Sequence, residues 1–490
     1  MLKRLLLFLG ILSLLACGSL LAGENIEDDL SGFETIEDTS DTFDALEGFD
    51  DIQSVPHAKS GSSLPVPHAK PKKSNTSLSG NLAFKTSLGY IKHEVDSIEY
   101  SGINQAQTSL YLQLDSKLND NWKLRVSGDA FYDAIYDIHK DNDYRDEILD
   151  DYKTQLRFDD VYLQGKISPS LDAKIGRQIV VWGKSDNIRV TDVINPIDNR
   201  QPGMTDIEDL RLSVAMAKFD YYLGMWNLSF MAIAENRIML EATPRGEFFA
   251  VDALFASSGT SVPDPFLPLH PPAASIHNMQ YAFAANGVFS GWDLSFYAAN
   301  VLDQKWHFDK LPSPSTPLTS ITREVSKINM LGSALNIVNG NWLYKSEIAF
   351  LNGVRYNTTL DEKNRLDALV GVEYMGFKDT VLSFELADRH IFEYENQMKD
   401  QADFVDEDEV QTALRATKSF ANDTVDVTAL LSMFGSSWQN GGFARVWMEY
   451  EIRDALSCNF GIVDYIGGGK PLMESNKDND RVFADIKYSF

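Results

Sequence analysis

The feature that most constrains this chain is a repeated alternation of apolar and polar residues in short segments. No apolar run after residue 22 reaches the roughly 18 residues that a membrane-spanning helix needs. The clearest alternating segment is the last one, RVFADIKYSF. One face of this strand would carry only apolar or aromatic residues: Val482, Ala484, Ile486, Tyr488 and Phe490. Such a face suits hydrocarbon, whereas the opposite, polar face suits a watery lumen.

The chain ends on Phe490, directly after this strand. A terminal phenylalanine in this position resembles the signal by which bacterial outer-membrane barrels are recognised for assembly. The pattern therefore predicts an all-β fold, a transmembrane antiparallel β-barrel over residues 79–490. The expected partners are outer-membrane lipid, lipopolysaccharide and, through Phe490, the barrel-assembly machinery; no nucleic-acid partner is expected.

Short turns recur between the alternating segments and predict the strand number. Eight are expected, near Asn119 to Asn121, Ser168 to Ser170, Gly224, Ser290 to Gly291, Asn339 to Asn341, Lys378 to Asp379, Asn422 to Asp423 and Arg453 to Asp454. If these turns and both termini are periplasmic, the strands number eighteen, and merging one hairpin gives sixteen. Either barrel is wide enough for a water-filled bore, whereas eight strands would be filled by side chains.

Tryptophan follows four of these turns and predicts an aromatic girdle. The four residues are Trp122, Trp226, Trp292 and Trp342. The indole ring favours the boundary between lipid headgroups and hydrocarbon, and repetition at one end of successive hairpins fits that boundary.

The N-terminus reads as a secretory signal peptide. Lys3 and Arg4 precede an apolar run, and small residues favour cleavage after Ala22. A retained anchor and a lipoprotein site at Cys17 are the alternatives. Because Cys458 is the only other cysteine, the exported chain is expected to lack an intramolecular disulfide.

Residues 23–78 read as a disordered periplasmic tail. The stretch 23–53 holds twelve acidic residues and no basic one, and Pro, Ser and Lys-rich sequence with a repeated VPHAK follows. Such composition buries too little apolar surface to offset the entropy of ordering. The tail is either a solvated spacer or a docking segment, in which Phe33 and Phe49 anchor a periplasmic export partner.

The net charge of −27 does not by itself predict ion selectivity, because twelve negative charges lie in the tail. Much of the remainder falls in expected outer loops, at 137–151 and 400–409. Basic residues with a lumen-facing phase leave a preference for anions open. They are Arg125, Arg177, Arg389, Arg415, Arg445 and Arg481.

The most individual run is GRQIVVWGKSDNIRVTDVINPIDNR, from Gly176 to Arg200. Turn counting places Gly176 to Lys184 in the fifth strand and Ser185 to Asp206 in the third outer loop, which often folds into the bore in general porins. The candidate residues for a pore constriction or a loop-stabilising network are Arg177, Gln178, Trp182, Asp186, Arg189, Asp192, Asn195, Asp198 and Arg200. Arginine and carboxylate groups could hold the loop in one shape or replace part of a solute's hydration shell.

The same run resembles the signature of a proteobacterial outer-membrane family of unknown function, which is more distantly similar to alginate-export and phosphate-selective porins. The matching residues are Arg177, Gln178, Trp182, Gly183, Asn195, Pro196 and Asp198. The resemblance covers residues 80–490 and implies a large barrel and envelope transport. It implies no particular substrate.

A second loop, Pro244 to Ala274, is unusually apolar, with Phe248, Phe249, Phe255, Phe266 and Leu267. It predicts either an inward plug, with apolar access for a hydrophobic solute, or a loop packed on itself and on the third loop.

Enzyme motifs fail on inspection. The GGGK run at Gly467 to Lys470 lacks the upstream glycine of a phosphate-binding loop and is followed by Pro471. No histidine spacing resembles a metal site, and no haem motif occurs. The sequence therefore predicts no catalytic residue, no metal and no cofactor.

Two functions follow as expectations. The first is a porin-like channel for small solutes, with amphipathic or anionic ones as the candidates, constricted by the third outer loop. The second is the outer-membrane component of an envelope-spanning export or lipid-trafficking assembly, which docks periplasmic partners through the tail. Both place the protein in the outer membrane of a Gram-negative bacterium.

Overall fold

A computed structural model describes residues 75–251, 262–264, 266–311, 316, 318–400 and 402–490. The predicted signal peptide, Cys17, the partner motif at Phe33 and Phe49, and Phe255 lie outside the described residues. Those predictions are not tested by the fold.

The described chain forms one closed antiparallel barrel of eighteen strands, each hydrogen-bonded to the next along the sequence. The strands are β1 (Thr76–Gly89), β2 (Gly102–Lys117), β3 (Trp122–Asp133), β4 (Thr154–Ser168), β5 (Leu171–Gln178), β6 (Val214–Leu223), β7 (Trp226–Ile233), β8 (Gln280–Phe289), β9 (Trp292–Leu302), β10 (Lys327–Asn339), β11 (Trp342–Val354), β12 (Lys363–Phe377), β13 (Thr380–Ile391), β14 (Gln411–Phe420), β15 (Val425–Phe434), β16 (Gly442–Arg453), β17 (Leu456–Ile466) and β18 (Arg481–Ser489). The prediction of eighteen strands is confirmed, and the alternative of sixteen is wrong.

The barrel closes between its first and last strands. Strand β1 pairs antiparallel with β18 from Asn81 opposite Ser489 to Gly89 opposite Arg481. Phe490 and Gly80 exchange two backbone hydrogen bonds of 3.0 Å each. Closure leaves no sheet edge, which is the condition for a β-structure that crosses a bilayer.

All eight predicted turns connect neighbouring strands, and they lie at the same end of the barrel as the start of β1 and the end of β18. Glycines in the left-handed region occupy three of them: Gly224 (φ 59°), Gly291 (φ 82°) and Gly340 (φ 57°). A positive φ is what a tight hairpin turn requires, and glycine adopts it without steric cost. Each of the four predicted girdle tryptophans is the first residue of a strand after such a turn.

The strands alternate between an exposed apolar face and a buried inward face. On β8, Tyr281 and Phe283 are more than two-fifths exposed, whereas Gln280, Ala282 and Ala284 are buried. On β18, Ile486 and Tyr488 face outwards, while Arg481 is 1% exposed. The outward face is thus the apolar one, as a transmembrane barrel requires.

Longer loops occupy the opposite end, which we call the loop end. They carry the short helices α1 (Ile135–Ile138), α2 (Asp146–Tyr152) and α3 (Pro471–Ser475), and one- to two-residue strand pairings. Among the described residues, no helix combines the length and apolarity required to cross a membrane. The first strand begins at Thr76, slightly before the predicted barrel boundary at residue 79.

Candidate pore and inner loop

Residues 179–213 connect β5 to β6 and form the third loop at the loop end; we call them the inner loop. The predicted fifth strand is too long, because β5 ends at Gln178 rather than at Lys184. The apolar run Ile179 to Trp182 leaves the barrel wall here. The Val180 amide donates to the side chain of Asn195 at 2.8 Å instead of to a neighbouring strand.

Glu347 on β11 holds the first part of the inner loop against the barrel wall. Its Oε1 accepts the amides of Lys184 at 2.6 Å and Ser185 at 2.8 Å. Its Oε2 accepts the amide of Thr191 at 3.1 Å and the Thr191 hydroxyl at 2.7 Å. Glu347 is only 2% exposed, so its carboxylate has lost its hydrogen bonds to water. The four hydrogen bonds from the inner loop take their place.

Strand β13 contacts the next stretch in the same way. Glu385 accepts the amide of Asp186 at 2.8 Å and that of Asn187 at 3.0 Å. Arg389, which lies on the same face of β13 as Glu385, donates to the carbonyl of Arg189 at 3.3 Å. Lys345 on β11 pairs with the Asp186 carboxylate at 2.6 Å.

The last part of the inner loop reaches other strands of the barrel. Arg200 donates to Gln155 on β4 at 2.7 Å. Tyr465 on β17 donates to the Pro202 carbonyl at 2.6 Å. Asp206 pairs with Arg415 on β14 at 3.0 Å and also with Arg445 on β16. Since these strands are spread around the closed sheet, the inner loop crosses the interior of the barrel.

An apolar core underlies one side of the inner loop. Trp182 stacks on Tyr297 of β9, with ring centroids 4.7 Å apart, and Ile188 is 1% exposed. Small inward-facing side chains make room for these residues. They are Ala282, Ala284, Ala299, Ala334, Ala349, Ala387 and Ala413. Burial of apolar surface therefore stabilises the inner loop together with its polar contacts.

Asn195 joins the two ends of the inner loop and is fully buried. Besides accepting from Val180, its amide donates to the carbonyl of Leu212 at 2.7 Å and to that of Gln178 at 3.3 Å. The side chain thus substitutes for strand pairing at the point where the chain leaves and re-enters the wall. Pro196 accepts the Leu212 amide at 2.7 Å and continues this connection.

Two groups of arginine and aspartate fix the loop's own shape. Asp192 accepts Arg189 at 3.1 Å and Arg211 at 2.8 Å, and its side chain is 3% exposed. Asp198 pairs with Arg200 at 2.6 Å and with Arg157 of β4 at 3.3 Å. Burial raises the pKa of the Asp198 carboxyl, but the hydrogen bonds and charges of Arg200 and Arg157 outweigh burial and leave the pKa lowered.

Gly183 is required by the close approach of the inner loop to Glu347. Its φ is +89°, and a Cβ at this position would lie 2.8 Å from both carboxylate oxygens of Glu347. Any side chain would therefore push away the residue that anchors the loop. The Gly183 amide also donates to the Tyr297 hydroxyl at 3.3 Å.

All six basic residues predicted for the lumen lie next to carboxylates, and five of them do so inside the barrel. Arg125 pairs with Asp115 at 2.8 Å, Arg389 lies 3.9 Å from Asp367, and Arg481 pairs with Glu247 at 2.7 Å. Arg415 and Arg445 share Asp206. These positive charges are compensated inside the barrel.

The predicted phase of Arg177 is wrong. On β5 it alternates with Gln178, which is fully buried, and shares its face with Ile175, which is 46% exposed. Its guanidinium pairs with Glu235 and donates to the Phe158 carbonyl at 3.1 Å. Arg177 therefore ties neighbouring strands together at the loop end, while Gln178 donates to the Lys174 carbonyl at 2.9 Å.

The apolar loop after Pro244 packs inside the loop end. Phe248 is 3% exposed and forms a buried cluster with Val463 and Tyr465, against which the partly buried Met204 of the inner loop packs. Phe249 and Leu267 form a separate buried cluster with Phe308. Among the described residues, the aromatic side chains of this loop serve packing rather than an open apolar face.

The sequence did not single out the wall residues that bind the inner loop. Glu347 and Glu385 are each the single charged residue of a short run, SEIAF and SFELA, that is otherwise mostly apolar. An acid on the inward phase of such a strand is the only local signal, and it does not name a partner. Arg211 was also missed, because it lies beyond the predicted end of the loop.

A cavity of about 220 Å³ remains between the inner loop and strands β12 to β14. It is lined by Asp186, Asp206, Glu208, Glu373, Val381, Ser383, Arg415 and Thr417.

Residues 52–490 match the family described as protein of unknown function (DUF1302). The chain belongs to the DUF1302 family. No curated protein sequence matches the chain. In this DUF1302 protein, the signature residues Gln178, Gly183 and Asn195 all lie where the inner loop leaves or contacts the wall.

The chain is also similar to solved outer-membrane proteins. OccAB4 of Acinetobacter baumannii has 10% identity and a TM-score of 0.49, with coverage of 86% of this chain and 100% of its own. OpdK of Pseudomonas aeruginosa has 10% identity and a TM-score of 0.47, and the match covers 84% of this chain and 99% of OpdK. OccK2 of the same organism, solved with glucuronate, has 12% identity and a TM-score of 0.46, and the match covers 85% of this chain and 96% of OccK2. Such likeness does not carry a solute from one barrel to another.

Proposed function

We propose that this DUF1302 protein is a channel of the outer membrane of a Gram-negative bacterium, and that the inner loop constricts its bore for small polar solutes. The observation that carries the proposal is the position of the inner loop. It lies within an eighteen-stranded barrel and is bonded to strands on several sides of it. A barrel of this size without an inserted loop would leave a wide aqueous bore.

The charged residues of the inner loop divide into two roles. Arg189, Asp192 and Arg211 bond mainly to one another and to backbone, which supports a structural network. Asp186 and Asp206 instead line the remaining cavity. We therefore assign solute contact to the cavity and loop stability to the arginine network.

Planar-bilayer recording of the purified protein tests the proposal. Discrete ion-conducting steps are expected, and Arg189→Ala is expected to alter the conductance because the loop loses bonds to Asp192 and to the Asn195 carbonyl. Arg453→Ala, in a turn at the opposite end, is the matched control. Absence of any conductance from correctly folded barrels would refute the proposal.

Deletion of residues 23–74 tests whether the predicted tail docks a periplasmic partner. A simple channel keeps its solute flux in vesicles and its phenotype in cells after this deletion. Intact conductance with a lost cellular phenotype would instead favour the export or lipid-trafficking assembly predicted from Phe33 and Phe49.

A further inference from the structure

The charged and polar side chains that line the cavity beside the inner loop limit the class of solute that it can bind. Asp186 and residues 206 and 208 of the inner loop form one side, and Glu373, Ser383 and Arg415 of the barrel wall form the other. It is therefore bounded by both parts of the proposed constriction.

Negative charge exceeds positive charge around this cavity. Its lining contains four carboxylates and one guanidinium. Two further cations pair with the lining carboxylates without lining the cavity themselves. Lys345 pairs with Asp186 and Glu373, and Arg445 pairs with Asp206. Four carboxylates against three cations leave one negative charge without compensation.

Glu208 carries that charge. It is exposed and forms no hydrogen bond or ion pair with any described residue, unlike Asp186, Asp206 and Glu373. In a narrow space with low-dielectric walls, an unpaired carboxylate attracts a cation more strongly than it would in bulk water.

A neutral polar group accompanies the carboxylate. The Ser383 side chain is 8% exposed, lines the cavity, and its hydroxyl has no partner among the described residues. A buried hydroxyl without a partner costs free energy unless water or a ligand bonds to it. Ser383 therefore offers a hydrogen-bond position for a solute in the cavity.

Arg415 does not offer a comparable site for an anion. Its guanidinium is already 3.0 Å from the Asp206 carboxylate and lies over the Trp447 ring at 5.4 Å. An incoming anion would have to displace Asp206, which is held on its other side by Arg445.

We propose that the cavity binds a small aliphatic amine, whose ammonium group contacts Glu208 and the half-exposed carboxylate of Asp186 while its alkyl chain lies along Val381. Val381 is 37% exposed and is the apolar member of the lining. The volume of about 220 Å³ is below the roughly 300 Å³ of the smallest drug-sized pockets, which restricts the solute to a few carbons. This inference rests on the proposed channel function, since the solute reaches the cavity through the bore.

The test is block of single-channel current by three four-carbon probes: putrescine, butanediol and succinate. Recording in about 1 M KCl shortens the Debye length to about 3 Å, so that only charges close to the probe matter. Putrescine is expected to block at the lowest concentration, whereas butanediol and succinate have little effect.

Variants localise the block. Glu208→Gln is expected to raise the half-blocking putrescine concentration at least tenfold, and Ser383→Ala to raise it two- to fivefold. Asp209→Asn is the matched control, because it removes the same charge from the neighbouring residue, which does not line the cavity. Its half-blocking concentration is expected to stay within twofold of the wild-type value.

The outcomes separate this inference from the function on which it rests. Conductance without putrescine block, equal block in Glu208→Gln and wild type, or stronger block by succinate would overturn the amine site and leave the channel proposal intact. Folded barrels that conduct no ions would overturn both.

Discussion

The Glu347 carboxylate accepts both the amide and the hydroxyl of Thr191, at 3.1 and 2.7 Å, across a separation of 156 residues. Through this contact a strand of the barrel wall determines where the inner loop lies. A buried carboxylate that bonds only to loop donors has no other structural use on that strand, so its removal should release the loop rather than the barrel.

Glu347→Ala is therefore expected to free residues 184–191 from the wall. Four charge-assisted hydrogen bonds are lost, each with a net value of about 1.5–3 kcal/mol in other proteins. Trypsin should then cleave after Lys184 or Arg189 in folded barrels, as measured by mass spectrometry. Ser346→Ala, the neighbour on the opposite phase of β11, should remain resistant; equal resistance of both variants would contradict this role.

Asn195→Ala is expected to destabilise the inner loop by leaving the Val180 amide and the Leu212 carbonyl without partners. Each buried unpaired group costs about 1–3 kcal/mol. The measurement is the temperature at which the folded, fast-migrating band is lost in detergent gels. Asn199→Ala is the control, because the Asn199 side chain forms no bond with any described residue. The same midpoint in Asn195→Ala as in this control would show that Asn195 does not stabilise the inner loop.

Gly183→Ala should be more harmful than alanine at another glycine of similar backbone conformation. Gly183 (φ +89°) would place its Cβ against Glu347, whereas a Cβ at Gly102 (φ +77°) meets no atom within 4 Å. Both variants share the cost of positive φ, so the difference in thermal midpoint reports the contact with Glu347. Equal midpoints would show that the close approach is unimportant.

The pairing of Asp198 with Arg200 determines the pH range over which Asp198 stabilises the inner loop. Because the folded-state pKa of Asp198 is lowered from 3.8, its contribution to stability is complete above pH 3.8 and is lost as the pH falls through the lower folded value. Conductance should therefore be insensitive to Asp198 titration between pH 7 and about pH 5. Comparison of wild type with Asp198→Asn over this range checks the sign: a difference between them that shrinks already at pH 6 would contradict it.

The barrel was accessible from sequence because its signals are local. Alternation with period two and turn residues such as Gly224 and Gly340 are properties of a few neighbouring positions, and they gave all eight turns and the strand number. The strand character of the last segment was likewise predicted from its own alternation, and the structure adds its pairing with β1. The predicted features do not depend on which distant residues meet.

The inner loop was harder to predict because its contacts are not local. The run Ile179 to Trp182 has the composition of a strand, but its apolar side chains fill the barrel interior through Tyr297 and the small inward alanines. Glu347 and Glu385 were missed for the same reason: an isolated charge in a sequence does not reveal a partner across the bore. Arg177 was assigned the wrong face because the register of β5 is set by its neighbours.

Removal of the inner loop tests whether this loop constricts the bore. Gln178 and Val214 are paired across β5 and β6, so a short glycine-rich turn can replace residues 179–213 without moving either strand. The measurement is single-channel conductance of this variant beside wild type, with differential migration of boiled and unboiled samples as evidence of folding. A conductance several-fold above wild type is expected; an unchanged conductance in folded barrels would contradict the claim.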